Sequence, residues 1–349
     1  MQKKSGKKNA QILEFLKENP GISSKEIYDR AERIIGYATV KRILQDLIKQ
    51  QLVTTTGQGK GTKYQLSRGY GVLYSVDVDE YFEKEIDERV IKEGYNHILI
   101  TETLHKITLF TDDELNHLNS LQKKYTDNIS HLTPVQYNKE MERLAIDLSW
   151  KSSQIEGNTY SLLETERLLK EMETAAGKTQ DEATMLLNHK KAIDFIIEHP
   201  DYVKPLTLSC IEDIHSILIE GLNIDRNIRQ HRVGVSGTNF KPLDNAFQIK
   251  EAIENMCALV NGQETVFPKA LLVLVLVSYI QPFEDGNKRT ARIVSNAVLM
   301  NNKFCPISFR TVSSIEYKKA MLIFYEQNNI AAFKKIFIEQ FEFAVKTYF

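Results

Sequence analysis

A short segment around position 285 combines two acidic residues, a glycine and three basic residues. It reads Gln281-Pro282-Phe283-Glu284-Asp285-Gly286-Asn287-Lys288-Arg289-Thr290-Ala291-Arg292. Asp285 falls where a helix N-cap belongs, so the backbone N–H groups after it are expected to lack partners and to suit an anion. Gly286 lets a ligand approach the backbone closely, and Asp285 can hold a hard divalent cation that also binds phosphate oxygens.

The three basic side chains of this segment strengthen the same interpretation. Lys288, Arg289 and Arg292 add positive charge, and Arg292 lies one helical turn beyond Arg289 on the same face. Together with the free amides, they predict a polyphosphate cradle. The alternative is an ordinary capped helix with basic residues on its surface, which the tripeptide Asp-Gly-Asn taken alone would favour.

The elements that position this segment are predicted to be mostly helices. Apolar residues recur at helical spacing over most of the chain from Thr133 onward. Beyond position 160, the predicted helices cover 162–173, 180–198, 208–220, 247–261, 266–281, 286–302, 312–325 and 330–346. Between them, the valines and glycines of Val233 to Gly237 predict a short extended hairpin or flap within residues 229–242. The fold class is therefore mainly α, with one small β-hairpin flap.

The first 68 residues have the pattern of three helices and a glycine-tipped hairpin. Apolar residues at 12–16 mark a first helix, serines at 23 and 24 can cap a second, and a third runs from about Tyr37 to Gln50. Strands at Leu52–Thr56 and Lys63–Leu66 flank a turn, residues 57–61, that only glycines form easily. This order resembles a winged helix-turn-helix.

The resemblance to a winged helix implies that the third helix lies in the DNA major groove and that the wing meets phosphate. The implied DNA-binding residues are Thr39, Lys41, Arg42 and Lys60. Residues 1–68 hold 14 Lys and Arg against 6 Asp and Glu, so a basic head of charge +8 precedes an acidic remainder of charge −9. Two alternatives stay open, since winged helices also dock proteins and a solvated basic tail would give the same charge.

Composition excludes several classes of protein. Of the 349 residues, 42% are hydrophobic and 26% are charged, which rules out wholesale disorder and collagen-like fibres. The three cysteines lack CxxC spacing, so a structural zinc site and a disulfide framework are not expected. The longest apolar run, Ala270 to Ile280, is too short to span a bilayer, and no apolar segment follows the basic N-terminus as in a signal peptide. A cytoplasmic protein without membrane contact is expected.

The segment around Asp285 resembles the signature of Fic-domain proteins, His-Pro-Phe-x-Asp/Glu-Gly-Asn-Gly/Lys-Arg-x-x-Arg. The matching residues are Pro282, Phe283, Asp285, Gly286, Asn287, Lys288 as a known variant, Arg289 and Arg292. The departure is the first position, where the family has histidine and this chain has Gln281. Residues 229–242 resemble the family's flap, and Ser152-x-x-x-Glu156-Gly157 resembles its inhibitory-helix motif. The resemblance covers roughly residues 110–346.

What the resemblance implies is transfer of AMP from ATP to a Ser, Thr or Tyr hydroxyl of a target protein. Asp285 would bind Mg²⁺, and Arg292 would chiefly hold the γ-phosphate. The implied nucleotide-binding residues are Val233, Gly234, Val235, Ser236, Gly286, Asn287, Lys288, Arg289, Arg292 and Tyr317. Within this set, Tyr317 would border the adenine, and residues 233–236 would also align the target segment by strand addition.

The inhibitory motif implies that Glu156, with Ser152 before it and Gly157 after it, pairs with Arg292 and blocks productive seating of the γ-phosphate. The alternative is a glutamate that merely ends a helix before a capping glycine. The implied organisation is a winged helix at 1–68, a linker and helical extension at 69–130, and an all-helical Fic domain at 131–346 whose inhibitory helix covers about 133–156. A homodimer, common among similar proteins, would match DNA half-site spacing.

The glutamine at the first signature position changes the expected activity. The catalytic positions implied by the resemblance are Gln281, Asn287 and Arg289. The family histidine is a general base, whereas an amide cannot take the hydroxyl proton near neutral pH, and loss of a general base typically costs about 10²–10⁴-fold. The expectation is a self-inhibited adenylyltransferase with lowered or lost activity. The alternatives are a nucleotide-responsive DNA-binding regulator without catalysis and a phosphotransferase like the Doc branch, which has the lysine found at Lys288.

Overall fold

The computed structural model describes residues 2–30, 35–92 and 94–349, with side chains from residue 8 onward. The chain divides into two compact units. The first contains the residues up to 75 together with 106–115, and the second contains residues 76–105 and 116–349. The segment predicted as a linker and helical extension is therefore divided between the two units: residues 69–75 and 106–115 belong to the first, and residues 76–105 and 116–130 belong to the second.

The first unit has the winged-helix arrangement predicted from the sequence. Its elements are α1 (Gln2–Glu18), α2 (Ser24–Arg30), α3 (Tyr37–Lys49), β1 (Val53–Thr56), β2 (Lys63–Leu66) and α4 (Tyr70–Leu73). Strands β1 and β2 are antiparallel, with Val53 opposite Leu66 and Thr56 opposite Lys63. The apolar faces of the helices and the first strand share one core, formed by Ile12, Leu13, Leu16, Ile27, Ile35, Val40, Ile43, Leu44, Leu47, Leu52 and Val53.

The wing turn shows why glycines stand there. Gly57 has a φ of +76°, and a Cβ at this position would lie 2.5 Å from the carbonyl oxygen of Gly61. A side chain therefore cannot be accommodated without moving the backbone. The turn continues as a short 3₁₀ helix, Gly59–Gly61, which leaves Lys60 exposed at the tip.

The other helices extend over most of the chain that follows. They are α5 (Val78–Tyr81), α6 (Asp112–Ser130), α7 (Pro134–Ile155), α8 (Leu162–Glu171), α9 (Gln180–Glu198), α10 (Leu208–Ile219), α11 (Ala246–Asn261), α12 (Val266–Ile280), α13 (Asn287–Asn301), α14 (Ser314–Gln327) and α15 (Ala331–Thr347). A 3₁₀ turn covers Ile86–Glu88 and a π-helical turn covers Leu99–Thr103. From α8 to α15, every helix begins and ends within two residues of its predicted bounds.

Helix α12 is the centre of the second unit. It is apolar on all sides because α11, α13 and α14 all pack against it. Its partner α13 follows after a loop of six residues, and Ser295 on α13 donates a hydrogen bond to the carbonyl oxygen of Ala270 on α12. The loop between them is thus held by two packed helices. No helix in the described part of the chain is both long and apolar enough to cross a membrane.

The flap differs from the predicted β-hairpin. Residues 229–242 are extended around a turn at Ser236 and Gly237, and the strand ladder found in the described residues belongs to the wing alone. The carbonyl groups of this segment accept from arginine side chains instead. Arg229 donates to the carbonyl oxygens of His231 and Leu243, and Arg89 donates to that of Gly237. No hairpin pairing is formed in this segment among the described residues.

Candidate active site

The loop between α12 and α13 is shaped by two left-handed residues. Gln281 ends α12 with a φ of +53°, and Gly286 is the N-cap of α13 with a φ of +81°. The prediction that Asp285 is the N-cap is therefore wrong by one residue, because the left-handed turn falls on the glycine, which adopts it without strain. The exposed Asp285 carboxylate instead lies 3.1 Å from Nη2 of Arg289.

The first turn of α13 presents backbone N–H groups without a cap. Gly286 has no side chain to accept from them, and the first bond of the helix runs from the N–H of Thr290 to the carbonyl oxygen of Gly286, at 2.8 Å. The N–H groups of residues 287–289 precede that bond. Such groups, at the positive end of a helix dipole, attract an anion.

Asn287 fixes the shape of the loop with its side chain. Its Oδ1 accepts from the N–H of Phe283 at 2.9 Å, and its Nδ2 donates to the carbonyl oxygen of the same residue at 2.8 Å. Nδ2 also donates to Oε1 of Gln281 at 3.1 Å. The buried Asn287 amide thus closes the loop, and only its backbone N–H is left to meet a ligand.

Gln281 is held by neighbours at every polar atom of its side chain. Its Nε2 donates to the carbonyl oxygen of Ser278 at 2.7 Å and to the hydroxyl of Tyr325 at 3.0 Å, while its Oε1 accepts from Asn287. The residue is 9% exposed. The amide is therefore a fixed part of the loop with no group that titrates near neutral pH.

Glu156 lies against two of the predicted phosphate-binding cations. Immediately after α7, its Oε1 is 2.9 Å from Nη2 of Arg292 and its Oε2 is 2.9 Å from Nζ of Lys288. Burial raises the pKa of Glu156, but the two positive charges outweigh it and lower that pKa to about 2. Glu156 also ends its helix before Gly157, whose φ is +107°, so the two readings of this motif describe the same residue.

Arg292 is completely buried and held on several sides. Its Nε donates to Oγ of Ser152 at 2.6 Å, and its Nη2 donates to the carbonyl oxygen of Ser152 at 3.0 Å. Tyr317 lies beside it, with its ring centre 5.1 Å from the guanidinium carbon, and is itself fully buried. Tyr317 therefore supports Arg292, and its predicted place at the border of an adenine stays a prediction.

Some donors of the two arginines have no acceptor within the described residues. They are Nε and Nη1 of Arg289 and Nη1 of Arg292. Buried cationic donors without an acceptor are costly, so a site of this kind suits an anion with several oxygens. Arg289, Arg292, Lys288 and the uncapped amides converge at the start of α13, as the sequence predicts.

Two histidines near this site were not predicted. His215 on α10 stacks on Phe283, with ring centres 3.6 Å apart, and its Nε2 donates to the carbonyl oxygen of Asp285. Burial lowers the pKa of His215 to about 4. Burial and the charges of Arg292 and Arg289 lower the pKa of His189, on α9, well below its usual value. Both rings are neutral near pH 7, and only the packing of separate helices reveals them.

The flap meets the loop through Arg229. Its backbone N–H donates to the carbonyl oxygen of Pro282 at 3.0 Å, and its Nε donates to that of Gln281 at 2.6 Å. Val233 and Val235 are half-buried, and Gly234 and Ser236 are exposed. In the part of the chain that the structure describes, no backbone hydrogen bond pairs residues 230–240 with another segment, so an extended edge remains open.

Comparison with known proteins identifies the second unit. Residues 205–299, which include the loop and both of its helices up to residue 299, match the sequence profile of the Fic/DOC family. This part of the chain is therefore similar to the Fic/DOC family. A solved fragment of Fic-1 from Caenorhabditis elegans has the same fold, with a TM-score of 0.58 at 20% identity over 68% of this chain and 72% of that one. A Fic domain-containing signaling protein from Bacteroides thetaiotaomicron gives 0.57 at 20% identity, over 66% and 95% of the two chains.

Curated relatives are somewhat more similar in sequence than these structures, but over a smaller share of the chain. A probable protein adenylyltransferase from Aquifex aeolicus (strain VF5) is 28% identical over 99 residues, which is 28% of this chain and 31% of the relative. The protein adenylyltransferase Fic-1 of C. elegans is 24% identical over 173 residues, covering 47% of this chain and 33% of the relative. The chain thus spans about a third of the length of these relatives.

Ahead of the Fic domain, residues 5–121 match the profile of the penicillinase repressor family. Three of the four residues predicted to contact DNA are exposed: Lys41 and Arg42 on α3, and Lys60 on the wing. Thr39 is half-buried on the same helix. The ammonium group of Lys41 lies 5.0 Å from the ring centre of Tyr37.

Proposed function

We propose that the N-terminus of α13 binds the triphosphate of ATP and that the Fic domain is built to transfer AMP to a protein hydroxyl. The observation that carries this proposal is the group of buried donors on Arg289 and Arg292 that have no partner in the described part of the chain, beside uncapped backbone amides. Phosphate oxygens accept several such bonds at once, and bonds between charged groups are the strong ones. The adenylyltransferase relatives give the reaction class.

Mg²⁺ fits this site as an ion carried with the nucleotide. Within the described residues, no group of three or more His, Cys, Asp or Glu side chains could hold a metal alone. Mg²⁺ is commonly bound by one or two carboxylates together with substrate phosphates and water, and Asp285 supplies one exposed carboxylate beside the cradle. When bound, the ion would neutralise charge on the phosphates.

The transfer step makes one demand that this chain does not meet. The target hydroxyl oxygen bonds to the α-phosphorus, the bond from that phosphorus to the β-phosphate oxygen breaks, and pyrophosphate leaves. The hydroxyl proton must pass to a base. Gln281 stands where the family has its histidine, and its amide is already bonded to Ser278, Tyr325 and Asn287. Turnover is therefore low or absent in this chain, at a cost of about 10²–10⁴-fold.

Glu156 adds a second restraint. It occupies one guanidinium nitrogen of Arg292 and the ammonium group of Lys288, which would otherwise face the outer phosphates. A carboxylate and a phosphate compete for the same donors. The proposal is thus a Fic-type adenylyltransferase module that is inhibited by its own Glu156 and weakened by Gln281.

Label transfer from ATP tests the proposal. Four chains are compared: the natural one, Gln281→His, Glu156→Gly and the double variant, each with Mg²⁺ and ATP labelled at the α-phosphate. The double variant should transfer label to protein about 10²–10⁴-fold faster than Glu156→Gly alone. Gln281→Asn, which keeps an amide, is the matched control and should remain as inactive as the natural chain.

The position of the label decides between the two transferase classes. Transfer of the α-label with release of pyrophosphate supports AMP transfer. Transfer of the γ-label would instead indicate phosphotransfer, the reaction that the lysine at position 288 led us to consider. A double variant that folds, binds ATP and transfers neither label contradicts both.

The second candidate is a DNA-binding regulator that responds to nucleotide without catalysis. It is favoured by the match to penicillinase repressors and by the exposed basic side chains on α3 and the wing. Binding to duplex DNA should weaken steeply with salt, and Lys41→Met or Arg42→Met should each lower the salt slope by about 1. Lys17→Met, at an exposed position on α1, is the control. A chain that binds no duplex at low salt, with or without ATP, contradicts this candidate.

A further inference from the structure

A segment well ahead of the Fic/DOC match holds the tip of the flap. We call residues 77–92 the strap. Nη2 of Arg89 in the strap donates to the carbonyl oxygen of Gly237 at 2.7 Å, and Nδ2 of Asn239 donates to Oδ1 of Asp87 at 2.9 Å. Both bonds join the strap to residues that follow the extended edge of the flap. The match to the Fic/DOC profile begins only at residue 205.

Arg89 is placed by a buried ion pair. Its Nη1 lies 3.3 Å from Oε1 of Glu326, and the two side chains are 3% and 0% exposed. The Tyr81 hydroxyl donates to Oε2 of Glu326 at 2.5 Å, and the ring of Phe82 lies 5.0 Å from the Arg89 guanidinium carbon. Burying two charges costs desolvation that their attraction hardly offsets, so such a pair is weak evidence of a role in stability alone. What it achieves here is one fixed orientation of a guanidinium group towards Gly237.

Three further hydrogen bonds, each accepted by a backbone carbonyl group, join the same strap to the end of α14. The N–H of Lys92 donates to the carbonyl oxygen of Glu326 at 2.9 Å, and Nζ of Lys92 donates to that of Gln327 at 2.8 Å. The side-chain amide of Gln327 donates back to the carbonyl oxygen of Val90. The strap is thus joined to α14 by several bonds beside the ion pair.

Helix α14 also contacts the turn of the flap. A Cβ at Gly237 would lie 3.4 Å from Cδ1 of Leu322, so the flap turn rests closely on this side chain. Gly237 has a φ of +89°, which marks the turn itself. The strap and α14 therefore hold the flap turn between them, while the extended edge before it makes no backbone pairs in the described residues.

We propose that Arg89 is a positioning residue. It holds the flap in the position and register in which a target segment can pair with the flap backbone. Strand addition needs a fixed register, since a slip of one residue turns every side chain to the other face. Where it concerns the target, this inference rests on the proposed function. The position of the flap itself does not depend on catalysis.

A spin label on the flap tests the position directly. Ser236→Cys places one exposed thiol on the flap, and the three native cysteines are buried. In the full-length chain, Arg89→Met should convert an immobilised spectrum into a mobile one, and Arg89→Lys should restore part of the immobilised component. Asp79→Asn, which removes only the exposed strap pair with Lys319, should leave the spectrum unchanged.

A second label separates a local effect from general loosening. Glu171→Cys at the exposed end of α8 should give the same spectrum with and without Arg89→Met. If both labels become mobile together, or neither does, the inference is wrong. Where Arg89→Met fails to fold, Asp87→Ala removes the exposed bond to Asn239 and should mobilise the flap label to a smaller extent.

An activity measurement completes the test. In the Glu156→Gly, Gln281→His background, Arg89→Met should lower the label transferred to protein by roughly 10²-fold through a higher KM for the target, while the Kd for ATP stays the same. A change in ATP affinity instead would contradict the positioning role. If the parent double variant transfers no label, the proposed function fails and the spin-label result still decides the role of Arg89.

Discussion

The two sides of the loop between α12 and α13 differ in how their polar groups are occupied. On the phosphate side, Arg289 and Arg292 keep buried donors without acceptors among the described residues, and Glu156 pairs with Arg292. The other side of the loop, at Gln281, is where the proposed target hydroxyl would approach, and we call it the acceptor side. There, every polar atom of the Gln281 side chain is hydrogen-bonded within the protein. The phosphate side therefore has polar groups that a ligand could still bond, whereas the polar atoms of the Gln281 side chain are all bonded within the protein.

This difference means that binding and transfer can be separated. The glutamine keeps the loop in shape through Asn287, so the phosphate side stays assembled with an amide at this position. We expect variants on the phosphate side to change stability and nucleotide affinity. Gln281→His, which places there the residue that the Fic family has, should change transfer alone.

The largest effect on stability is expected from Arg292→Met. It would leave the Glu156 carboxylate buried with Lys288 as its remaining ion-pair partner, and breaking a buried pair in this way costs about 3–5 kcal/mol. Urea unfolding followed by circular dichroism measures the free energy of unfolding. Adding Glu156→Gln should recover part of the loss, and a double variant no more stable than the single one would contradict the assignment of the pair.

Lowering the pH should weaken the ion pairs that Glu156 makes with Arg292 and Lys288 over a defined pH range. The pKa of Glu156 is lowered from 4.5 to about 2, so the unfolded chain takes up its proton first as the pH falls. The stability from this carboxylate is complete above pH 4.5 and is lost as the pH approaches 2. Between about pH 5 and pH 3, the difference in unfolding free energy between the natural chain and Glu156→Gln should narrow by about 2 kcal/mol. A constant difference would show that the carboxylate gains nothing from its partners.

Glu156→Gly should tighten ATP binding by roughly 5–150-fold, the usual range for two sites coupled by 1–3 kcal/mol. The reason is that the carboxylate and the γ-phosphate compete for Arg292. Calorimetric titration with ATP and with ADP measures it, and ADP should gain less because it has no γ-phosphate. Gln281→His is the control on the acceptor side and should leave both affinities unchanged. An equal gain for ADP would place the competition elsewhere.

The smallest effect is expected from Lys288→Met. The Lys288 side chain is 26% exposed, so its pair with Glu156 is partly screened by water and is worth about 0.2–1 kcal/mol. Urea unfolding beside Arg292→Met gives the comparison within the phosphate side. A loss as large as that of Arg292→Met would mean that the lysine, and not the buried arginine, is the main partner of the carboxylate.

Local patterns in the sequence were enough to predict much of this architecture. Helix periodicity gave the bounds of α8 to α15, and the glycines at 57–61 gave the wing. The same reasoning overstated the flap, where Val233 and Val235 have no complementary run nearby and arginine side chains take the carbonyl groups. The wing strands, by contrast, meet across a short turn.

Within the site, the motif predicted the phosphate-side residues, whereas contacts between distant segments were missed. The stacking of His215 on Phe283 and the pairing of Arg89 with Glu326 join residues far apart in the chain. No periodicity encodes such neighbours, because they are set by how whole helices pack. The pairing of Glu156 with Arg292 was expected only because the motif carried it.

The position of α12 has a consequence for biosynthesis. Nearly all of its residues are apolar and buried, and its covering comes from α11 before it and from α13 and α14 after it. A chain still emerging from the ribosome therefore exposes this apolar helix to water until the residues of α13 and α14 have been made. Such exposed surface invites aggregation, so this domain should depend on chaperones most at that stage of its synthesis.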